Sequence, residues 1–363
     1  MLRFGNLMRD GLTEAGVEAR LIQPAPILGG ARWQPAILRK WLGYVDKFLI
    51  FPWVLRQELR DAEFVHLLDH SNAMYVPWFK HLPHLVTCHD LIAIKSAHGK
   101  TPEFKTSLTG RILQSWILRG LKQASAIVAI SEATAAEVRE WVARDRQSVA
   151  VVHNSLSREF AAIDRELALK ILERHGFTNR LREPYLLHIG SGHVRKNRAA
   201  VLRAASVAGW NGPIVLAGAA MESELKELVA GLGLGRQVIE IVKPEDSAVN
   251  ALYSAAHALI FPSRYEGFGW PLIEAQASGC PVVCSDIPPF RELVRGSALM
   301  AGPEDHVALG RHVTTLARDV SARAALIEAG LANAVKFSRR AMIEGYLRCI
   351  DGAAPIASIT RSA

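Results

Sequence analysis

Two glutamates stand eight positions apart in a stretch of the sequence that also carries glycine and proline. They are Glu266 and Glu274, with Gly267, Gly269 and Pro271 between them. Glycine permits backbone conformations and close approaches that other residues resist, and proline suits the first turn of a helix. The segment therefore predicts a loop that enters a helix near Pro271, with Glu266 on the loop and Glu274 on the helix.

Two ionised carboxylates beside a helix start limit what this loop can bind. The free N–H groups and the helix dipole favour an anion, but a phosphate directly against two carboxylates would be repelled. A carboxylate accepts two O–H donors at once, so vicinal sugar hydroxyls fit, and a nucleotide sugar adds a phosphate for the loop amides. The alternative is that Glu274 only stabilises its own helix and Glu266 is solvated. The glycines and the position after a strand-like run favour binding.

Two further polar clusters follow strand-like runs. Gly190 opens a loop with a second glycine and then Arg195 and Lys196, the residue types that hold a diphosphate. Taken alone it is equally typical of a solvated turn. The run Leu85-Val86-Thr87-Cys88 ends at His89 and Asp90, where packing and function are equally consistent with the residues.

Short apolar runs alternate with longer helical patterns, which predicts parallel sheets covered by helices on both faces. The first series is Val17–Ile22, Phe64–Leu68, Leu85–His89, Ala126–Ile130 and Val149–His153, and the second is Tyr185–Ile189, Ile214–Ala217, Val238–Val242, Ala258–Phe261, Val282–Cys284 and Ala298–Met300. The chain is thus predicted to form two doubly wound Rossmann-like α/β domains at 1–170 and 171–340, followed by a helix and tail at 341–363.

Composition excludes several classes of protein. The chain has 363 residues, of which half are hydrophobic and 21% charged, as expected for a soluble globular enzyme. Its net charge of +8 favours a polyanionic partner, whether nucleic acid, anionic lipid or a phosphorylated small molecule. Four scattered cysteines favour a reducing compartment, and Cys280 and Cys284 are too far apart along a strand to share a zinc ion. We find no charged-then-apolar leader and predict a cytoplasmic protein.

The segment from Phe261 to Ala275 resembles the Glu-seven-Glu signature of the retaining family-4 glycosyltransferases of the GT-B fold. Ala277-Ser278-Gly279-Cys280-Pro281-Val282-Val283 is similar to its continuation, and Gly190, Arg195-Lys196-Asn197 and the strand end at His89 and Asp90 add to the likeness. The resemblance runs from about residue 64 to 347. It implies two Rossmann-like domains with the active site in the cleft between them.

The resemblance also implies a role for each matching residue. Glu274 would hold the donor ribose and Glu266 the transferred sugar. His89 would lie near that sugar, and Asp90 toward the acceptor. The remaining donor-binding residues would be Gly190, Arg195, Lys196, Phe268 and Gly269, with the diphosphate on Lys196. No divalent metal or other cofactor is implied.

The chain departs from the family pattern in two places. Ser191 stands where the family often has arginine, which places more weight on Lys196 and Arg195. The family also opens with a strand and a glycine-rich loop, whereas this sequence begins in helical spacing with Leu2, Leu7 and Leu12. We therefore expect the first strand to be encoded upstream of Met1, in about 15–25 further residues.

The function predicted from these residues is transfer of a hexose from a nucleotide sugar to a hydroxyl of a glycan or lipid-linked acceptor, with retention of anomeric configuration. One alternative is a nucleotide-sugar epimerase on the same architecture. Another is a basic nucleic-acid-binding protein. The second is disfavoured because the sequence has no basic stripe interleaved with stacking aromatics, and because the acidic pair sits in its best-formed motif.

The segment from Ile37 to Leu49 has apolar residues at helical spacing together with Arg39, Lys40 and Lys47. Such a helix fits the surface of an anionic membrane, which would make the protein peripheral to the inner face of that membrane. It also fits a helix packed on the first domain. Packing is favoured here because tryptophan and phenylalanine at this spacing usually belong to a core.

Overall fold

The computed structural model describes residues 2–30, 35–100, 106–143, 147–177 and 179–353. The chain divides into two compact units. The first comprises the described residues of Met1–His153 and Arg339–Ala363, and the second is Asn154–Ser338. The boundary thus falls between His153 and Asn154, earlier than the position near residue 170 expected from the sequence. The tail that follows residue 353 lies outside the described residues.

The first unit is built on a parallel sheet of four strands. Its strands are β1 (Val65–Leu67), β2 (His84–Cys88), β3 (Ala126–Ala129) and β4 (Ser148–Val151), and they lie side by side in that order. Its helices are α1 (Leu2–Glu14), α2 (Ala36–Val45), α3 (Phe51–Glu58), α4 (Val76–Phe79), α5 (Ile92–Ala97), α6 (Leu108–Leu121), α7 (Glu132–Trp141) and α16 (Arg339–Ala353), with a π turn at Asp46–Ile50 and a 3-10 helix at His70–Tyr75.

The helix predicted near the chain end joins the first unit. Tyr346 on α16 is fully buried, and its hydroxyl is 3.1 Å from that of Thr87 on β2. Met342 and Ile343 share an apolar cluster with Phe4 and Met8 of α1. Because α16 and α1 contribute to the same core, the end of the chain stabilises the unit in which the chain begins.

The strand predicted over Val17–Ile22 is wrong. Val17 makes a single β-bridge, and the residues after it are irregular. Leu21 lies against Gly5 of α1 and Ile22 against the core of the unit, so the apolar side chains are packed without a sheet ladder. The alternation that suggested a strand reflects one half-buried face of a connecting segment.

The second unit contains all six strands that the sequence predicted. They are β5 (Leu186–Gly190), β6 (Ile214–Gly218), β7 (Val238–Val242), β8 (Ala258–Phe261), β9 (Val282–Ser285) and β10 (Leu299–Ala301). Its helices are α8 (Arg165–Arg174), α9 (Arg198–Val207), α10 (Ser223–Gly231), α11 (Asp246–Ala255), α12 (Trp270–Ala277), α13 (Pro288–Val294), α14 (His306–Arg318) and α15 (Val320–Ala334), with short 3-10 helices at Asn179–Arg182, Val194–Lys196 and Val335–Phe337.

The strand order of this second sheet is β10-β9-β8-β5-β6-β7, with every neighbouring pair parallel. The first strand of the unit is therefore central, and the chain reverses its direction of travel across the sheet between β5 and β8. In open α/β sheets this reversal separates the loops at the strand ends and creates a crevice where ligands bind. The order predicts a site between the loops that follow β5 and β8.

The helical segment from Ala36 to Glu58 differs from the packing expected of it. Phe51 and Leu55 are buried in the first unit, but Ile37, Trp41 and Leu49 are exposed. Packing therefore accounts for its second half and not for its first. None of the described helices has the length and hydropathy needed to cross a membrane.

Candidate active site

The loops after β5 and β8 are joined by hydrogen bonds. The backbone N–H of Arg264 donates to the carbonyl of Arg195 at 2.8 Å, and its guanidinium donates to the carbonyl of Val194 at 3.0 Å. The same guanidinium pairs with Glu304, whose loop also receives a bond from the amide of Asn197. The two glycine-containing segments singled out in the sequence are thus held together at the reversal of the sheet.

Glu266 lies between two cations of the β5 loop. Lys196 Nζ is 2.6 Å from its Oε1 atom, and Arg195 Nη1 contacts its Oε2 atom. Arg195 also donates to the carbonyl of Tyr265 at 3.1 Å. The structure therefore brings together three of the residues predicted for the site, and it does so as an ion triad of two positive charges and one negative charge.

Lys196 is unusually enclosed for a lysine. Its ammonium lies 4.8 Å from the ring centroid of Phe261, the last residue of β8. Burial lowers its pKa, and the neighbouring Glu266 carboxylate opposes that change. An enclosed ammonium is costly to desolvate, so the pairing with Glu266 is what keeps the charge in place. Together with Arg195, the pair leaves a net positive charge at the ends of β5 and β8.

Glu274 is buried on α12 and has partners of its own. Ser157 Oγ donates to Oε1 at 2.6 Å, and the Tyr253 hydroxyl donates to Oε2 at 3.2 Å. Burial and the adjacent carboxylate raise the pKa of Tyr253 well above its ordinary value, so this phenol stays a donor. These bonds hold the Glu274 carboxylate in one orientation.

The start of α12 is tightly packed, in agreement with the helix expected from Pro271 onward. Phe268 is buried between the rings of Trp270 and Phe337. A side chain at Gly269 would approach Phe290 to 3.0 Å, closer than carbon atoms normally pack. Trp270 donates its indole N–H to the carbonyl of Ser155 at 3.0 Å. This packing fixes the backbone that leads from Glu266 to Glu274.

Gly190 ends β5 beside Gly218, which ends β6. Gly218 has a φ of +122°, and a Cβ built on it would lie 2.0 Å from the carbonyl oxygen of Gly190. Only glycine fits there, so the two strand ends approach closely. Ser191 then follows as an exposed residue. Arg195, the residue expected to compensate for the charge missing at Ser191, bonds Glu266 and the carbonyl of Tyr265.

His89 and Asp90 lie at the end of β2 in the first unit. His89 is buried beside Phe4, and its Nε2 atom is 3.0 Å from the carbonyl oxygen of Leu68. Burial lowers its pKa, so the neutral ring donates from Nε2 and leaves Nδ1 as an acceptor. Nδ1 has no hydrogen-bond partner among the described residues. Asp90 accepts the backbone N–H of Ile92, the first residue of α5, at 3.0 Å.

Sequence reasoning missed two residues of the site, Ser157 and Tyr253. Ser157 lies in a polar run, Asn154, Ser155 and Ser157, whose composition is typical of a connection between domains. Tyr253 belongs to the buried face of α11, where an aromatic residue predicts core packing. Tyrosine in place of phenylalanine on such a face is the one available signal, because a buried hydroxyl needs a partner. Among the described residues no group of three His, Cys, Asp or Glu side chains is placed to hold a metal ion.

Comparison with known proteins gives two family models that divide the chain as its two sheets do. Residues 8–160 match "Glycosyltransferase Family 4" and residues 172–332 match "Glycosyl transferases group 1". The O-antigen chain mannosyltransferase B of Escherichia coli is 26% identical over 283 residues, covering 75% of this chain and 72% of that protein. Two other curated relatives are matched over less than half of their own length.

Solved structures agree on the fold. The sucrose-phosphate synthase of Thermosynechococcus elongatus superposes with a TM-score of 0.71 at 18% identity, over 96% of this chain and 92% of that one. Anabaena HepE in complex with UDP-glucose gives a TM-score of 0.66 at 18% identity, over 83% and 82% of the two chains. With two parallel-sheet domains, a charged site at the reversal of the second sheet and both family models matched, this chain belongs to the family-4 glycosyltransferases of the GT-B fold.

Proposed function

We propose that the enzyme transfers a hexose from a nucleotide sugar to a hydroxyl of a glycan or lipid-linked acceptor, with retention of anomeric configuration. The observation that carries this proposal is the ion triad of Glu266, Lys196 and Arg195 at the sheet reversal. It offers a carboxylate for sugar hydroxyls and two cations for a diphosphate in one small volume. Few ligands other than a sugar diphosphate need both.

The triad can bind a donor without first coming apart. Lys196 has three N–H donors, of which Glu266 takes one, so the others can bind phosphate oxygens at the same time. Glu266 has acceptor sites beyond those used by Lys196 and Arg195, and these suit two sugar hydroxyls. The cations then lie between carboxylate and diphosphate and remove the repulsion that two anions would otherwise have.

Glu274 is proposed to accept the ribose hydroxyls of the nucleotide. It is buried on α12, and the hydroxyl groups of Ser157 and Tyr253 fix the direction of its carboxylate. A carboxylate held in this way favours a diol over a single hydroxyl, because it can accept two charge-assisted hydrogen bonds. Phe268, Gly269 and Gly190 are proposed to supply the close backbone contacts of the same donor.

Retention requires that the new bond forms on the face that the diphosphate leaves. In the proposed step the bond from C1 to the phosphate oxygen breaks, the acceptor oxygen bonds to C1, and its proton passes to the departing phosphate oxygen. No protein base is then needed, and stabilisation of the leaving diphosphate by Lys196 and Arg195 supplies the main effect. His89 orients the sugar through its neutral ring, and Asp90 lies toward the acceptor. We propose no divalent metal in this step.

Mannose is the hexose we favour. The relative from Escherichia coli is named an O-antigen chain mannosyltransferase, and a role in polysaccharide synthesis follows from that similarity. HepE was solved with UDP-glucose, so a uridine donor is the natural comparison. The identity of the donor therefore has two parts, the sugar and the nucleotide base, and one screen can test both.

A thermal-shift screen with GDP, UDP, GDP-mannose and UDP-glucose tests the donor. A ligand at a hundred times its dissociation constant stabilises the native state by about 2.7 kcal/mol, enough for a clear rise in melting temperature. The anomeric configuration of the product, measured by NMR in the presence of a chelator, tests the rest. An inverted product, activity that depends on an added divalent ion, or release of a free epimerised sugar without acceptor would contradict the proposal.

A further inference from the structure

One helical segment of the first unit carries an apolar stripe that begins in solvent and ends in the core. Ile37, Trp41 and Tyr44 share a face of α2, and Phe51 and Leu55 continue the same spacing through the π turn into α3. The last two are buried, whereas Ile37 is 75% and Trp41 64% exposed. Residues of this kind and spacing normally have a partner.

A second helix extends this surface. On α6 the side chains of Leu108, Ile112 and Trp116 share one face and are 74%, 58% and 53% exposed. The ring centroids of Trp116 and Phe48 are 5.8 Å apart, and Phe48 in turn lies 6.0 Å from Tyr44. Two helices thus form one continuous surface, which we term the aromatic face: Ile37, Trp41, Tyr44, Leu108, Ile112 and Trp116.

The two helical segments that form the aromatic face, residues 35–57 and 106–123, are rich in cations and contain a single acid, Asp46. Arg111 and Arg119 are exposed on α6, three residues after Leu108 and Trp116 respectively, and residues three apart are neighbours on a helix surface. Between residues 106 and 123 the sequence has no aspartate or glutamate, and between 35 and 57 it has only Asp46. That carboxylate is buried and accepts the backbone N–H groups of Leu28 and Gly29. The face is therefore both apolar and positively charged.

We propose that the aromatic face docks the enzyme on an anionic lipid bilayer. Aromatic side chains with polar tips prefer the interface between hydrocarbon and water, and arginine flanks bind acidic headgroups. A helix with this composition lies in the plane of the membrane rather than across it. A second copy of the chain is a poorer partner, because a two-fold interface would bring together two surfaces of the same positive charge. This inference is independent of the chemistry proposed above.

Co-sedimentation of the full chain with vesicles tests the proposal. One set contains phosphatidylglycerol and phosphatidylcholine, and the other contains phosphatidylcholine alone. We expect strong binding to the anionic set, weakened by high salt, and little binding to the neutral set. Replacing the two tryptophans, in Trp41→Gln with Trp116→Gln, and reversing two charges, in Arg111→Glu with Arg119→Glu, should each lower the partition coefficient at least about tenfold.

Matched controls come from the second unit. Val320→Gln with Val335→Gln replaces two apolar residues that are 81% and 76% exposed, and Arg311→Glu with Arg318→Glu reverses two exposed charges. These variants should bind vesicles as the parent does. All variants should keep the parental melting temperature within a few degrees, and Trp41→Gln alone serves if a double variant does not fold. Equal binding to neutral vesicles, face variants that bind like the parent, or a solution dimer dissociated by the tryptophan substitutions would each overturn the proposal.

Discussion

The two sheets of this protein differ in strand order, and they also differ in the contacts made by the polar side chains at their strand ends. In the second unit the order reverses between β5 and β8, and the loops there hold Lys196, Arg195 and Glu266 in mutual contact. In the first unit the described strands follow one another from β1 to β4 without a reversal. Its strand-end residues His89 and Asp90 bind mainly backbone.

A reversal separates two neighbouring loops and leaves polar side chains free to meet across the gap. In a sheet without a reversal, the side chains at the strand ends bond the backbone of neighbouring segments instead. Asp90 accepts the N–H of Ile92 at the start of α5, and His89 bonds the carbonyl of Leu68. On the proposed function, we expect the strand-end residues of the second unit to contribute more to donor binding than His89 and Asp90 do. Substitutions in each unit test that division.

The largest effect is expected for Glu266→Gln. This change keeps the shape of the side chain but removes the charge, so in the proposed role the transferred sugar would lose its acceptor in the transition state. We expect kcat to fall about 10²- to 10³-fold, the range for loss of one preorganised electrostatic contact. Affinity for the nucleoside diphosphate should fall less than kcat, because Arg195 keeps its charge although Lys196 loses the carboxylate that opposes the lowering of its pKa. Steady-state kinetics and calorimetry measure both quantities.

Two further glutamates serve as comparison and control. Glu274→Gln should chiefly weaken binding of the nucleotide, since the contact proposed for Glu274 is the remote ribose and not the reacting sugar. Glu304→Gln removes a carboxylate from the same rim, where it pairs with Arg264, and should leave kcat within about twofold. Equal losses of kcat and of nucleotide affinity in Glu266→Gln and Glu274→Gln would break the division of roles.

The next largest effect is expected for Lys196→Ala. A charge-assisted hydrogen bond contributes roughly 1.5–3 kcal/mol, so the dissociation constant for the nucleoside diphosphate should rise about 10- to 150-fold while nucleoside binding persists. Lys226→Ala, on the exposed side of α10, is the matched control and should change neither. Unchanged affinity for the diphosphate in Lys196→Ala would remove this residue from the site and leave Arg195 as its principal cation.

The sequence predicted the second unit more completely than the first, for a physical reason. Strands β5 to β10 include uninterrupted apolar runs at the centre of a sheet, and their pattern depends little on context. The segment Val17–Ile22 has a similar pattern, but a strand also needs a neighbour to pair with, and only Val17 makes a bridge. Pairing is a tertiary property, and alternation of side chains does not contain it.

The site shows the same limit at the level of side chains. Glu266, Glu274 and Lys196 could be singled out because glycines and strand ends mark their segments. The ion triad could not be predicted, because it depends on β5 and β8 being neighbours in the sheet. In the sequence, two other strands lie between them. Tyr253 was out of reach for a related reason, since its partner Glu274 lies on a different helix.

The stability of the first unit is expected to depend on pH through His66. Burial lowers the pKa of this ring from 6.5 to about 3, and the nearby His89 adds to the effect. Below about pH 6.5 the unfolded chain therefore takes up a proton that the folded chain does not, and the free energy of unfolding falls as the pH is lowered. Between pH 7.5 and 5.5 this single group accounts for about 1.4 kcal/mol.

The measurement is urea denaturation at the two pH values, for the parent and for His66→Gln. Glutamine does not titrate and can still bond Thr87, as Nε2 of the histidine does at 2.8 Å. The pH-dependent loss of stability should be smaller by about 1.4 kcal/mol in this variant. His81→Gln is the control, because its ring is exposed and hydrated in both states. A parental pH dependence in His66→Gln would show that the ring is protonated in the folded protein.

The smallest effect is expected for substitution of His89, the site residue of the first unit that is tested against those of the second unit. Its Nε2 atom bonds the carbonyl of Leu68, and its Nδ1 atom has no partner among the described residues. Glutamine can reproduce the Nε2 donor but not the Nδ1 acceptor, whereas asparagine does the reverse. Loss of one hydrogen bond to the sugar is worth about 0.5–1.5 kcal/mol, so His89→Gln should lower kcat/KM roughly 2- to 12-fold.

The division between the units predicts that this loss is confined to the sugar. The nucleoside diphosphate should bind His89→Gln as it binds the parent, because its proposed contacts all lie in the second unit. His89→Asn should recover activity relative to His89→Gln if Nδ1 is the atom that matters, despite the lost bond to Leu68. If instead His89→Gln is fully active and His89→Asn is not, the histidine acts only by holding the backbone of the strand end, and the first unit contributes to the reaction through other residues.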